Sequence, residues 1–296
     1  MPRSAPAAPS AELKALTDDP IFGKDPHRVE GEEVHGVVAF TFDDGPNPST
    51  SPAVIDALEK YDIPATFFII TSRLGKSNPK SSDVLARELA DGFTVGSHSV
   101  THPNLKGAAG ETITKEIDQS FRTLSKAAAR PIGLFRPPYG ALSAAGRQRL
   151  KQLGVTEVIW SIDTLDWKAK DAAKLRKKVF SMITKQNGGI VLMHDVKPIT
   201  AKIIADVLDD LEAENCTRLA DKKLEPIWPV SLHYFLKDGN NPRAVPADVQ
   251  KRTDAYKAGL ALRCKNRTPV RSDVVPPGVP PINASCLANP LGPGCH

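Results

Sequence analysis

From about Gly36 onward the chain alternates short apolar runs with segments of helical apolar spacing, and this alternation limits the fold more than any other property of the sequence. The strand-like runs are Val37–Phe42, Ala65–Ile70, Thr94–Ser97, Gly133–Phe135, Val155–Trp160, Gly189–Met193 and Pro229–Leu232. Between them, the spacing predicts helices over Ser51–Tyr61, Ser82–Asp91, Glu111–Ala129, Ser143–Leu153, Asp171–Lys185 and Ile199–Glu214. Strands that alternate with helices call for a parallel sheet with helices outside it. Seven strand-like runs fit either an open sheet or an incomplete barrel, and periodicity does not choose between them. In both architectures the loops converge at the carboxyl edge of the sheet, so chemistry is expected where the runs end.

The 296 residues suffice for one substantial core with material left over. Residues 1–35 read as an N-terminal linker or extension, 36–238 as the α/β domain, and 239–296 as a Pro-rich, basic, Cys-containing tail. That tail looks extended apart from a short helical stretch near Asp248–Leu262. It also carries the whole charge excess, since residues from Asn240 onward hold eight Lys/Arg against three Asp in a chain of net charge +5. The rest is balanced, which argues against a groove for nucleic acid. No apolar run approaches the roughly 20 residues that a membrane-spanning helix needs, so a protein without a membrane span is expected, and a monomer. Cys216, Cys264, Cys286 and Cys295 are disulfide candidates, and three pairings are open. The first ten residues lack the apolar stretch of a signal peptide. This start suits an exported protein whose signal has been removed and equally a cytoplasmic protein with a loose N-terminus; with the cysteines, an exported location (periplasmic, cell-envelope or secreted) is expected.

Five short strings sit at or just after the strand-like runs. Asp43-Asp44-Gly45-Pro46 sets two carboxylates pointing different ways before a turn, so one can bind a metal while its neighbour stays free as a base. Taken alone it reads as an Asx-type turn. His98 and His102 stand four apart ahead of Pro103, a spacing that brings two imidazoles to one point if the segment makes a helical turn. Arg136-Pro137-Pro138-Tyr139-Gly140 is a stiff loop able to present a guanidinium and a backbone N–H at fixed places. Asp163-Thr-Leu-Asp166-Trp167 adds an acidic pair, and Leu192-Met-His194-Asp195 a further histidine.

In this order, the five strings resemble the NodB homology domain of the polysaccharide deacetylases, the fourth family of carbohydrate esterases, over about Val37 to Leu236. The resemblance implies a distorted or incomplete (β/α)7 barrel of the NodB / glycoside hydrolase-deacetylase type. It also implies that Asp44, His98 and His102 hold one divalent metal ion, zinc first with cobalt, nickel or manganese as alternatives, and that Asp43 is the general base. Two neutral imidazoles and one carboxylate leave such an ion residual positive charge and open positions, as activation of water requires. By the same resemblance His194 is the general acid, kept cationic by Asp166; Arg136 holds Asp43; the Tyr139 N–H meets the oxyanion; and Trp167 and Leu192 wall the acetyl methyl. The connection after Asp195 is longer than the family's usual last helix-to-strand connection and the Cys-bearing tail has no family counterpart, which leaves substrate choice open.

The expected activity is therefore metal-dependent removal of N-acetyl groups from an amino-sugar polymer, with release of acetate. Peptidoglycan N-acetylglucosamine is the first choice of N-acetylated glycan partner; chitin oligomers, an exopolysaccharide or acetyl xylan are the alternatives. Two other readings compete. A two-His, one-carboxylate iron oxygenase leaves Asp43, Arg136 and His194 without work and sits badly on an α/β scaffold. A wall-binding module with an inactive site conflicts with every catalytic position being filled.

Overall fold

The structure, a computed structural model, describes residues 28–31, 34–221, 224–238, 241–242, 245 and 247–267. Its centre is one nine-stranded sheet, of β1 (Arg28–Val29), β2 (Val37–Asp43), β3 (Ala65–Ile69), β4 (Thr94–Ser97), β5 (Leu134–Phe135), β6 (Thr156–Val158), β7 (Ile162–Asp163), β8 (Gly188–His194) and β9 (Trp228–Pro229). The spatial order is β1-β6-β5-β4-β3-β2-β8-β7, with β9 added beside β2, and every pairing is parallel. The two ends of this path, β1 and β7, do not pair with each other, so the curl stops short of a closed barrel.

The pleat explains why the sheet has two apolar faces. Val38, Phe40, Phe42, Phe67 and Ile69 lie in the large cluster beneath the helices, whereas the intervening Ala39 and Phe68 belong to an inner cluster with Leu134, Val158, Ile190 and Leu232. Strands buried on both faces are the reason the sequence shows unbroken apolar runs in place of strict alternation. The outer layer is formed by α1 (Ser51–Lys60), α2 (Pro79–Ala90), α3 (Gln119–Ala128), α4 (Ala144–Leu153), α5 (Ala172–Gln186) and α6 (Pro198–Ala220). A π-helical turn, Thr114–Asp118, leads into α3. Among the described residues no helix is long and apolar enough to cross a membrane.

Several boundaries differ from expectation. Residues 28–29, read from sequence as linker, pair with β6 through Arg28↔Glu157 and Val29↔Val158; a two-residue strand has no periodicity to detect. The expected strand Val155–Trp160 is shorter, and the chain re-enters the sheet as β7, on the other side, against β8. Of the last expected strand, Pro229–Leu232, only Pro229 lies in β9, and Leu232–Phe235 forms a 3-10 turn. The helical stretch assigned to the tail is a full helix, α7 (Ala247–Asn266), whose Tyr256 and Leu260 are buried in the main core. Cys264 on α7 is bonded to Cys216 on α6, with Cα atoms 5.4 Å apart. Cys286 and Cys295 lie outside the described residues.

Candidate active site

The side chains singled out in the five strings meet at the carboxyl edge of the sheet. Asp43 ends β2 opposite His194 at the end of β8, in register. Along β2, Ala39, Thr41 and Asp43 alternate onto the inner face, so the Asp43 carboxylate enters the mouth of the curl while Asp44 begins the following loop. Arg136, fully buried, fills that mouth. Its Nη1 donates to Asp43 Oδ1 and Thr41 Oγ1 at 2.7 Å each, its Nη2 to the Ile159 carbonyl at 3.0 Å, and its guanidinium lies 4.2 Å over the Phe68 ring. Burial pushes the Asp43 carboxyl up from its ordinary value, and the charge of Arg136 pulls against it.

Asp44, His98 and His102 form a compact donor set in which one atom of each lies within 4.8 Å of the others. Asp44 Oδ1 is 3.6 Å from His98 Nε2 and 3.3 Å from His102 Nε2. His98 Nδ1 is 2.7 Å from the Arg136 carbonyl, which can only accept, so Nδ1 carries the proton and Nε2 keeps its lone pair toward Asp44. Burial pushes His98 down to about 3, which leaves the imidazole neutral. Asp44 Oδ1 is itself buried with no hydrogen-bond partner. An orphaned carboxylate oxygen facing two imidazole nitrogens is the donor set a divalent ion takes, so the residues fit one.

The imidazoles do not converge through the helical turn that their spacing suggests. Residues 98–102 are an irregular loop in which Ser99 has φ 70° and His102 φ 64°. Glu116, on the π-helical turn, holds the loop by accepting from the N–H groups of Val100 and Thr101 and from the Thr101 hydroxyl at 2.8–3.0 Å. Asp44 (φ 73°) and Tyr139 (φ 60°) also have left-handed backbones. For residues other than glycine such a conformation costs on the order of 1–3 kcal/mol and tends to cluster at functional sites.

Across the pocket, His194 Nδ1 lies 2.7 Å from Asp166 Oδ1, while Asp166 Oδ2 accepts from the His194 N–H at 2.7 Å and the Thr200 hydroxyl at 2.5 Å. Burial disfavours the His194 cation, but the hydrogen bond and charge of Asp166 outweigh it, so His194 is held above its usual value. Burial likewise opposes the Asp166 charge, and its three donors carry the carboxyl below the usual range. A cavity of about 370 Å³ connects these groups, lined by Asp43, Asp44, His98, His102 and His194 together with Tyr139, Trp167 and Leu192. Tyr139 is mainly exposed, Trp167 is half-exposed and Leu192 is buried.

Three further residues line this cavity without a role in the sequence reading: Trp160, Asp163 and Lys197. Another addition is Asp195, wholly buried, which accepts from the Ser51 hydroxyl and is pushed up to about 7 by burial, with Ser51 opposing and Asp44 adding. A Cβ at Gly45 would sit 2.6–2.7 Å from both Asp195 oxygens, so the glycine after Asp44 is required by this close approach. Position beside His194 is the one signal of Asp195 in the sequence; its partners are remote in the chain.

The fold and the site define an α/β class, an incomplete parallel barrel with an Asp/His/His candidate metal cluster and a His–Asp pair at its carboxyl edge. Comparison with known proteins adds the family. The polysaccharide deacetylase family model matches residues 30–158. The chain is 38% identical over 181 residues to the peptidoglycan-N-acetylglucosamine deacetylase PgdA of Listeria monocytogenes, covering 60% of this chain and 36% of that protein. It is 34% identical over 172 residues to a chitooligosaccharide deacetylase of Azorhizobium caulinodans, covering 57% of this chain and 79% of that one. Among solved structures it resembles a family 4 carbohydrate esterase from Streptomyces lividans in complex with acetate, at 29% identity and a TM-score of 0.53, covering 63% of this chain and 90% of the other. The chain belongs to the polysaccharide deacetylase family. It spans about a third of the length of the Listeria relative.

Proposed function

We propose that this chain is a metal-dependent hydrolase that removes N-acetyl groups from an amino-sugar polymer and releases acetate. The observation that carries the reading is one pocket holding an Arg-paired carboxylate beside a three-donor cluster, faced by a His–Asp pair. Asp44, His98 and His102 would hold a divalent ion, zinc first and cobalt, nickel or manganese as alternatives, which when bound supplies Lewis acidity for water and for the acetyl carbonyl.

The chain's own groups perform the proton transfers. Asp43, oriented by Arg136, takes a proton from water as its oxygen attacks the acetyl carbon. The Tyr139 N–H is assigned to the carbonyl oxygen as charge develops there. Asp166 fixes the Nδ1–H of His194 and favours the cation, leaving Nε2–H to protonate the sugar nitrogen as the C–N bond breaks. Acetate and a free amine result. Trp167 and Leu192 wall the methyl group.

Peptidoglycan N-acetylglucosamine is the proposed substrate, supported by the Listeria relative; the Azorhizobium relative supports chitin oligomers as the alternative. An exported location is proposed on the disulfide between Cys216 and Cys264, which an oxidising compartment maintains. Acetate release from peptidoglycan and from N-acetylglucosamine oligomers, with and without chelator, tests the reading. Glycan binding with no acetate formed under any divalent metal would overturn it.

A further inference from the structure

Beside the catalytic pocket lies a second cavity of about 490 Å³ that the reaction above does not use. The two cavities share Trp167 and Lys197. Lys170, Lys197 and Lys202 line the second one, and the one carboxylate in its wall, Asp166, is 1% exposed and committed to His194 and Thr200. None of the three lysines has an ion-pair partner among the described residues. Of the acids close to them in sequence, Asp171 is paired with Lys174 at 3.7 Å and Asp206 and Asp210 share Arg176 at 3.2 and 2.7 Å, while Asp163 lines the first cavity with Lys197 but not the second. The charge balance of the main body therefore conceals a local excess. Uncompensated ammonium groups around a concave wall concentrate positive potential there, and the half-exposed Trp167 ring between the cavities offers a flat face for a sugar.

We propose that this cavity is an anion subsite, taking a carboxylate or phosphate substituent on the glycan unit next to the N-acetyl sugar being hydrolysed. The proposal rests on the deacetylase reading for its position along the substrate, and on the three lysines for its chemistry. A neutral N-acetylglucosamine oligomer has nothing to offer these lysines, whereas a glycan with an acidic group on alternate sugars does.

The test compares three glycans of equal length: neutral N-acetylglucosamine oligomers, a peptide-free glycan bearing a carboxylate on alternate sugars, and the same glycan with that carboxylate methyl-esterified. A phosphorylated N-acetylglucosamine oligomer forms a fourth arm. Surface-type charge pairs are individually weak, so three lysines are expected to give about a tenfold higher kcat/KM for the acidic glycan than for its ester, shrinking with added salt. The double variant K170Q/K202Q should bring that ratio close to one. Because the ratio is taken within each protein, general damage to the fold cancels. A gain shared by the phosphorylated oligomer identifies a general anion subsite, and a gain with carboxylate alone a carboxylate subsite. An acidic-to-ester ratio of one in the parent protein, or one unchanged in K170Q/K202Q, would overturn the proposal. If no glycan releases acetate the deacetylase reading fails, and the same ratio measured as Kd by calorimetry then decides the subsite separately.

Discussion

Replacing Asp166 with asparagine removes one charge and little volume, and its consequences follow from three hydrogen bonds. Asp166 accepts from His194 Nδ1, from the His194 N–H and from the Thr200 hydroxyl. An asparagine has one accepting oxygen. If that oxygen faces the backbone N–H and Thr200, its NH2 faces Nδ1 and the Nδ1–H of the ring loses its acceptor; if it faces Nδ1, an NH2 is driven against a backbone N–H at 2.7 Å. Each lost bond to a charged group is worth about 1.5–3 kcal/mol, so the fold should lose roughly that much stability. Catalysis should suffer more, by about 10²–10⁴-fold in kcat, because the acid loses both its orientation and the charge that favours its cation. The pH dependence fixes the cause. Asp166 holds His194 above its ordinary value, so the acid stays protonated up to that raised pKa and activity falls as pH rises through it. In D166N the descending limb should move to lower pH. A kcat profile of D166N with an undisplaced descending limb, or one within threefold of the parent, would refute the assignment of His194 as acid.

Other consequences follow from burial. His98 is buried and pushed down to about 3, below its unfolded value, so the unfolded chain binds the extra proton; metal-free protein should lose stability as pH falls from about 6.5 toward 3, measurable by urea unfolding, and H98N should flatten that slope. R136L leaves a buried carboxylate at Asp43 and removes the Nη2 bond to the Ile159 carbonyl, so we expect a loss of about 3–5 kcal/mol in thermal or denaturant unfolding, together with loss of acetate release. The C216S/C264S variant opens a loop with a sequence separation of 48, which in the loop-entropy limit costs about 4 kcal/mol, read as a lower urea midpoint under oxidising conditions.

The legible parts of this protein are those written in contiguous residues. Apolar runs on both sheet faces gave the α/β alternation away, and Asp43, Arg136 and His194 could be picked out because each closes a run and the loops after such runs converge. What stayed hidden depends on partners distant in the chain. Glu116 shapes the His98–His102 loop from a π-helical turn, Ser51 meets Asp195 across the structure, and Gly45 is small because Asp195 comes close. The two-residue β1 has no pattern to read, and β7 separates from β6 by changing its neighbour in the sheet, which pairing decides and periodicity does not. Totals misled in one respect: the charge balance over residues 1–239 conceals the gathering of Lys170, Lys197 and Lys202 around one cavity.

The central claim is that Asp43 and Asp44, adjacent in the chain, have separate duties, one as base and one as metal ligand. The direct test is to measure zinc affinity and acetate release together for the parent protein, D43N and D44N on an N-acetylglucosamine oligomer. The account predicts that D43N keeps its zinc affinity within a few-fold while losing about 10²–10⁴ in kcat, and that D44N loses zinc affinity and activity together. Equal loss of zinc affinity in both variants, or acetate release by zinc-loaded D43N at the parent rate, would contradict it.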